Sequence, residues 1–204
     1  MKRLHCPPGP TALRWLLAAG AAALPLAALA HTDGAEAAGF LSGLAHPVSG
    51  LDHVLAMVAV GLWGAVLGAP ALWILPVAFP VMMAFGGLLG LAGLPVPGVE
   101  VGIALSGIVL GAAVLAQLRP GLVVATLLVA VFAVFHGHAH GTELPAGASG
   151  LLYSLGFVIA TGLLHGVGIL IGEARRWGFG QRLIRTAGGG VAAAGVFFLW
   201  RALA

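Results

Sequence analysis

Charged residues are scarce in this chain of 204 residues. Only 7% are Asp, Glu, Lys or Arg, whereas an ordinary soluble domain carries roughly 25%. So few charges cannot cover a surface that faces water, and 60% of the residues are hydrophobic. The composition therefore predicts an integral membrane protein whose exterior mostly contacts lipid.

Basic residues are too few to suggest a nucleic-acid partner. The formal net charge is +3, but Lys2, Arg3 and Arg14 all lie near the N-terminus. The rest of the chain carries six Arg against six acids and is neutral. This distribution excludes the basic surface that nucleic-acid binding requires. The sequence also has no phosphate-binding loop of the GxxxxGK type, so we do not expect the chain to hydrolyse ATP itself.

Cysteine is nearly absent, and the single Cys6 lies in a segment that resembles a secretory signal. Basic residues there precede an apolar stretch, 15–26, and the small-x-small pattern Ala28-Leu29-Ala30 fits a signal peptidase site. We expect residues 1–30 to be a cleaved signal peptide and residues 31–204 to form a single transmembrane domain. Without Cys6 the mature chain would have no disulfide and no thiolate metal ligand.

Six long apolar runs follow, each near the roughly 20 residues that a helix needs to cross a bilayer. The fold class predicted is an all-α integral membrane protein, a bundle of about six transmembrane helices. The predicted spans are Val48–Leu67, Ala71–Ala92, Val99–Leu118, Gly121–His138, Gly150–Gly172 and Leu183–Leu203.

The arginines predict the orientation of these spans. A cleaved signal leaves the mature N-terminus on the periplasmic side of the inner membrane. Counting spans from there, Arg201 alone lies outside, and the other five arginines after the signal are cytoplasmic, in agreement with the positive-inside rule. These five are Arg119, Arg175, Arg176, Arg182 and Arg185.

Ionisable residues concentrate in two short clusters, and such residues in membrane spans tend to mark ion or substrate pathways. One cluster, residues 46–53, starts the first predicted span, and the other, residues 135–143, ends the fourth. The orientation places both on the non-cytoplasmic side. Their convergence requires that these two spans be neighbours, which the sequence does not show.

The spacing within each cluster predicts a shared face. His46 and His53 are seven residues apart on the first predicted helix, with Asp52 beside them and Met57 one turn further as a weak thioether ligand. His136, His140 and Glu143 follow at i, i+4 and i+7, while His138 points roughly opposite. Imidazole and carboxylate ligands suit Ni²⁺, Co²⁺, Zn²⁺ and Cu²⁺, and the imidazoles must be deprotonated to bind them.

Other ionisable residues have two readings each. His165, in the middle of the fifth predicted span, either forms a second station on a metal or proton path or hydrogen-bonds a neighbouring helix. Glu100 and Glu173 are expected to be solvated helix ends, with guidance of the ion as the alternative. His31 would become a terminal metal ligand if cleavage follows Ala30.

The two clusters resemble the histidine motifs of the HupE/UreJ family of nickel and cobalt permeases. They read HPVSGLDH over residues 46–53 and FHGHAHGTE over residues 135–143, and the likeness extends over nearly the whole mature chain. The resemblance implies secondary transport of Ni²⁺ or Co²⁺, often to supply a hydrogenase or urease. The metal would be the transported substrate, and no permanent cofactor is expected. A homo-oligomer or partners in metalloenzyme maturation are also possible. The positions that match the functional residues of the family motifs are His46, Asp52, His53, His136, His140 and Glu143. His138 occupies a variable position of the second motif.

The residues leave other functions open. The same His and Asp groups could hold Zn²⁺ in an intramembrane hydrolase with Glu143 as general base. A serine mechanism with Ser106 and His165 lacks an evident oxyanion hole. A metal sensor lacks a soluble output domain.

Overall fold

The computed structural model describes residues 35–143 and 149–204, and every described element is helical. The predicted signal peptide, its cleavage site and His31 lie outside the described residues. Seven α-helices and one short 3-10 helix follow in order: α1 (Ala35–Ser49), α2 (Leu51–Leu67), α3 (Ala71–Leu91), α4 (Val99–Leu115), α5 (Leu122–Thr142), α6 (Gly150–Gly172), the 3-10 helix Glu173–Arg176 and α7 (Gly180–Leu203). The predicted all-α class is confirmed.

Most of these helices are long and apolar enough to cross a membrane. Four helices meet both requirements by themselves: α3, α5, α6 with its 3-10 extension, and α7. Helices α1 and α2 meet the requirements only when they are taken together as one broken span, which is bent by 82°. Helix α4 is a shorter apolar helix of 17 residues. Large apolar side chains such as Leu151 (81% exposed) and Leu170 (70%) cover the outer surface, as lipid requires. The chain is a multi-pass membrane protein.

The first predicted span begins differently in the structure. Helix α1 ends at Ser49, α2 begins at Leu51, and Gly50 between them has extended backbone (φ −106°, ψ 119°). Pro47, in the last turn of α1, has no N–H to continue the helix ladder, and the Ser49 hydroxyl donates to the His46 carbonyl at 2.6 Å. The prediction that His46 and His53 share one helix face is therefore wrong, because they lie on two helices.

Three other boundaries shift by three or four residues. Helix α4 ends at Leu115 rather than Leu118. Helix α5 continues to Thr142, four residues beyond the predicted end at His138, so His140 lies on the helix. Helix α7 begins at Gly180 rather than Leu183.

Glycines bring helix backbones into direct contact. A Cβ on Gly86 of α3 would meet the Val134 carbonyl of α5, and a Cβ on Gly137 of α5 would meet the Met83 carbonyl of α3. In the same way, Gly61 of α2 lies against the backbone of α6. Small residues allow such approach where lipid offers no hydrophobic driving force between helices. The position of α5, which carries the second histidine cluster, therefore depends on its contact with α3.

Arginine side chains satisfy helix carbonyls at the end of the bundle opposite the histidines. Arg175 donates from Nη1 to the Ala65 carbonyl at 2.6 Å, and Arg185 donates from Nε to the Leu115 carbonyl at 3.0 Å. These carbonyls belong to the C-terminal turns of α2 and α4, which have no helical partners for their last oxygens. The arginine-rich end is therefore part of the packed bundle.

We expect Gly86→Ala to destabilise the bundle, because its methyl group would meet backbone that can move only if α3 and α5 separate. Overpacking of this kind costs about 1–3 kcal/mol. Thermal unfolding in detergent micelles, followed by tryptophan fluorescence, should give a lower Tm than wild type. Gly162→Ala is the matched control, because nothing lies within 4 Å of its Cβ. Equal Tm values for the two variants would contradict the predicted backbone contact.

Candidate metal site

Three helix ends converge at one end of the bundle and bring the two histidine clusters together. His46 comes from the end of α1, His53 from the start of α2, and His136 and His140 from the end of α5. The ring centroid of His140 lies 4.8 Å from that of His46 and 4.4 Å from that of His53, and the His53 and His136 rings are 4.8 Å apart. The two predicted clusters thus meet, although the sequence could not show that their helices are neighbours.

A cavity of about 230 Å³ lies among these side chains. Its ionisable lining residues are His46, Asp52, His53, Glu100, His140 and Glu143. Glu100, which was expected to be a solvated end, therefore faces the same space as the histidines. An acidic residue at the outer end of an otherwise apolar helix was the sequence signal for this position.

The outermost part of the cavity groups one carboxylate with two imidazoles. One ligand atom each from His46, His140 and Glu143 lie within 4.8 Å of one another, and His46 Nε2 is 3.1 Å from Glu143 Oε2. Glu143 is 57% exposed, whereas His140 is only 7% exposed. The group therefore extends from solvent into the buried part of the bundle.

Asp52 orients the His53 ring. Its Oδ1 accepts hydrogen bonds from the backbone N–H and from Nδ1 of His53, both at 2.9 Å. A carboxylate can only accept, so Nδ1 carries the proton and Nε2 has a free lone pair. Nε2 is buried and has no hydrogen-bond partner. A Cβ on Gly50 would lie 2.8 Å from the same Oδ1, so glycine leaves room for this pair.

Ser106 orients the His136 ring in a similar way. The Ser106 hydroxyl donates to the Ile103 carbonyl at 2.6 Å, so its oxygen accepts from His136 Nε2 at 2.9 Å. His136 Nδ1 then has a lone pair and is buried without a partner. The suggested serine mechanism paired Ser106 with His165. In the structure Ser106 instead contacts His136, and its proton is held by a carbonyl, which does not activate a nucleophile.

Among residues 35–143 and 149–204, four buried imidazole nitrogens around this site have no hydrogen-bond partner: His53 Nε2, His136 Nδ1 and both nitrogens of His140. Leaving a buried polar atom unpaired costs about 1–3 kcal/mol. A neutral His140 carries a proton on one of its two nitrogens, so the group offers three lone pairs, one each from His53, His136 and His140. With the carboxylates of Glu143 and Glu100 at the same cavity, these lone pairs can coordinate a cation of borderline softness.

The remaining candidates lie apart from the cavity. His138 Nε2 donates to the Leu94 carbonyl at 2.8 Å, which ties α5 to the connection between α3 and α4. Met57 is fully buried in the apolar core and does not line the cavity. His165 lies deeper, in the middle of α6.

We expect Ser106→Ala to destabilise the protein by about 1–3 kcal/mol, because it leaves His136 Nε2 buried without an acceptor. Thr126→Val is the matched control, since the Thr126 hydroxyl is buried but has no partner to lose. Thermal unfolding in detergent should show a Tm decrease for Ser106→Ala alone. A decrease of equal size in both variants would contradict the role of the Ser106–His136 hydrogen bond.

Comparison with known proteins identifies the family of this chain. The sequence model of the HupE / UreJ protein family matches residues 18–198. The curated Protein HupE of Rhizobium leguminosarum bv. viciae is 48% identical over 179 residues, which cover 87% of this chain and 94% of that protein. No solved structure matches. The chain belongs to the HupE/UreJ family.

Proposed function

We propose that this protein is a permease that admits Ni²⁺ or Co²⁺ to the cell through the histidine cavity. The observation that carries the proposal is the convergence of four unpartnered imidazole nitrogens with carboxylates at one end of a membrane bundle. Membership of the HupE/UreJ family, whose resemblance implies nickel or cobalt, supports the choice of metal.

The ligand atoms suit a metal ion that must be released again. Imidazole and carboxylate bind Ni²⁺ and Co²⁺ well, and the ligands come from three helix ends that can separate or approach. His46, His140 and Glu143 form the outer ligands, and His53 and His136 offer lone pairs further inside. Asp52 acts through His53, as carboxylates do when they orient a metal-binding imidazole.

The arginine-rich end supports an orientation with the cavity open to the periplasm. Arg119, Arg175 and Arg185 lie at the end of the bundle opposite the histidines, and the positive-inside rule places such loops in the cytoplasm. The mature N-terminus would then be periplasmic, the membrane would be the inner one, and transport would run toward a hydrogenase or urease in the cytoplasm. With no ATP-binding loop in the sequence, the driving force is a gradient or a partner.

Cellular accumulation of radioactive nickel or cobalt tests the proposal. At matched membrane levels, we expect His53→Ala and His140→Ala to reduce uptake to background, because each removes a nitrogen ligand from the centre of the cavity. His138→Gln should retain uptake, since His138 lies outside the cavity and glutamine can still donate to the Leu94 carbonyl.

Uptake that is unchanged in His53→Ala and His140→Ala would refute a transport role for the cavity. If those variants instead lost a peptidase or lipase activity of the wild-type protein, the zinc hydrolase would be the better explanation.

A second prediction concerns Asp52. Asp52→Asn keeps an oxygen that can accept from His53 Nδ1 but removes the negative charge, so Ni²⁺ affinity should fall about 10- to 100-fold. Calorimetric titration of detergent-purified protein with Ni²⁺ measures the change. Glu173→Gln is the control, because Glu173 pairs with Arg175 and Arg176 at the other end of the bundle. Equal Ni²⁺ affinity in all three proteins would contradict the role of Asp52.

A further inference from the structure

A second group of unpartnered polar atoms lies deeper in the bundle, on α6. His165 is 1% exposed and Thr161 is 0% exposed. Within the described residues, the two ring nitrogens of His165 and the hydroxyl of Thr161 make no hydrogen bond of good geometry. The two residues are four apart on one helix and so share a face. On the neighbouring helix α3, the candidate hydrogen-bond acceptor for His165 is the Pro76 carbonyl, which lies beside its ring.

Helix α3 lacks one of its helical hydrogen bonds next to this group. Pro80 lies inside α3 and has no N–H to donate to the carbonyl of Pro76, four residues earlier. That carbonyl lies beside the His165 ring, without a hydrogen bond of good geometry to either nitrogen. The His165 imidazole and the Pro76 carbonyl oxygen are thus neighbours in the interior of the bundle, and the Thr161 hydroxyl lies one turn away from His165 on the same face of α6.

One aromatic side chain connects this group to the histidine cavity. The Phe79 ring centroid lies 5.6 Å from that of His136 and 5.4 Å from that of His165. Phe79 is fully buried and comes from α3, between the two prolines. The His136 ring, whose Nδ1 is free, and the His165 ring therefore contact the same phenyl group.

The position of His165 is fixed by its backbone. A Cβ on Gly61 of α2 would meet the His165 carbonyl, so α2 and α6 are in direct contact at this residue. A packing role alone would favour an apolar side chain here, because an unpaired buried polar group is destabilising. The structure keeps an imidazole at this fixed position, where neither ring nitrogen makes a hydrogen bond of good geometry within the described residues.

We propose that Thr161, His165 and the Pro76 carbonyl form a second station for the transported divalent cation, reached from the histidine cavity past Phe79. The inference rests on the proposed transport function. The ligands at this station are all neutral, unlike those of the outer cavity with Glu143. A neutral set holds a divalent ion weakly, which suits an ion that must move on toward the cytoplasm.

Replacing His165 by cysteine allows Co²⁺ itself to report on the station. In a full-length Cys6→Ser background, which removes the only native thiol, His165→Cys should give thiolate-to-cobalt charge-transfer absorption in the near ultraviolet when Co²⁺ is added. Ala160→Cys is the matched control: it places a buried thiol on α6 about 140° around the helix from position 165. We expect no such absorption from this control or from the cysteine-free parent.

Transport measurements on the same proteins complete the test. We expect His165→Leu to lower Co²⁺ uptake by about tenfold or more, with calorimetric Co²⁺ binding at the histidine cavity retained. His165→Cys, which keeps a metal ligand, should transport better than His165→Leu. If His165→Leu does not fold, the absorption of His165→Cys still decides the question.

Three outcomes would overturn the station: no charge-transfer absorption in His165→Cys while Co²⁺ still binds the cavity, equal absorption in Ala160→Cys, or wild-type uptake in His165→Leu. A loss of uptake without the absorption counts against it as well, since His165 would then pass protons rather than metal. A wild-type protein that transports neither Ni²⁺ nor Co²⁺ would refute the proposed function instead, and the absorption would still report whether Co²⁺ reaches position 165.

Discussion

The break between α1 and α2 at Gly50 is the feature on which the site depends. A continuous helix would place His46 and His53 two turns apart along one axis, about 10 Å from each other. The 82° bend instead places them on two sides of His140. Gly50 also leaves space for the Asp52–His53 pair. One short interruption in a span thus produces both the convergence of the imidazoles and the orientation of one of them.

The opposite wall of the cavity depends on backbone contact between helices. Helix α5 carries His136 and His140, and glycines on both sides of its interface with α3 hold the two backbones against each other. Ser106 on α4 then fixes the His136 ring. A site built on rigid helices can keep lone pairs unpaired at defined positions, although each of them costs free energy in an apolar interior.

The unpaired nitrogens explain why the protein retains polar groups at such positions. In membranes, unsatisfied groups are tolerated mainly where they line a cavity or a pathway. Negative charge is concentrated in the outer part, at Glu143, Glu100 and Asp52, and is absent from the group at Thr161 and His165. A cation would therefore meet strong ligands first and weaker, neutral ligands further inside.

The sequence alone determined the class of the protein, because composition and the length of apolar runs are properties of the chain in any conformation. It also determined the two histidine clusters, since neighbours in sequence remain neighbours in space. Only the tertiary structure decided that the clusters meet, that Ser106 pairs with His136 and that Glu100 lines the cavity. These contacts join residues that are far apart in the sequence, and Ser106 and His136 are 30 positions apart. They depend on how whole helices pack, which the local sequence does not encode. The first helix was predicted without its break, since Pro47 is also compatible with the first turn of a continuous helix, and the sequence does not show that Gly50 adopts extended backbone.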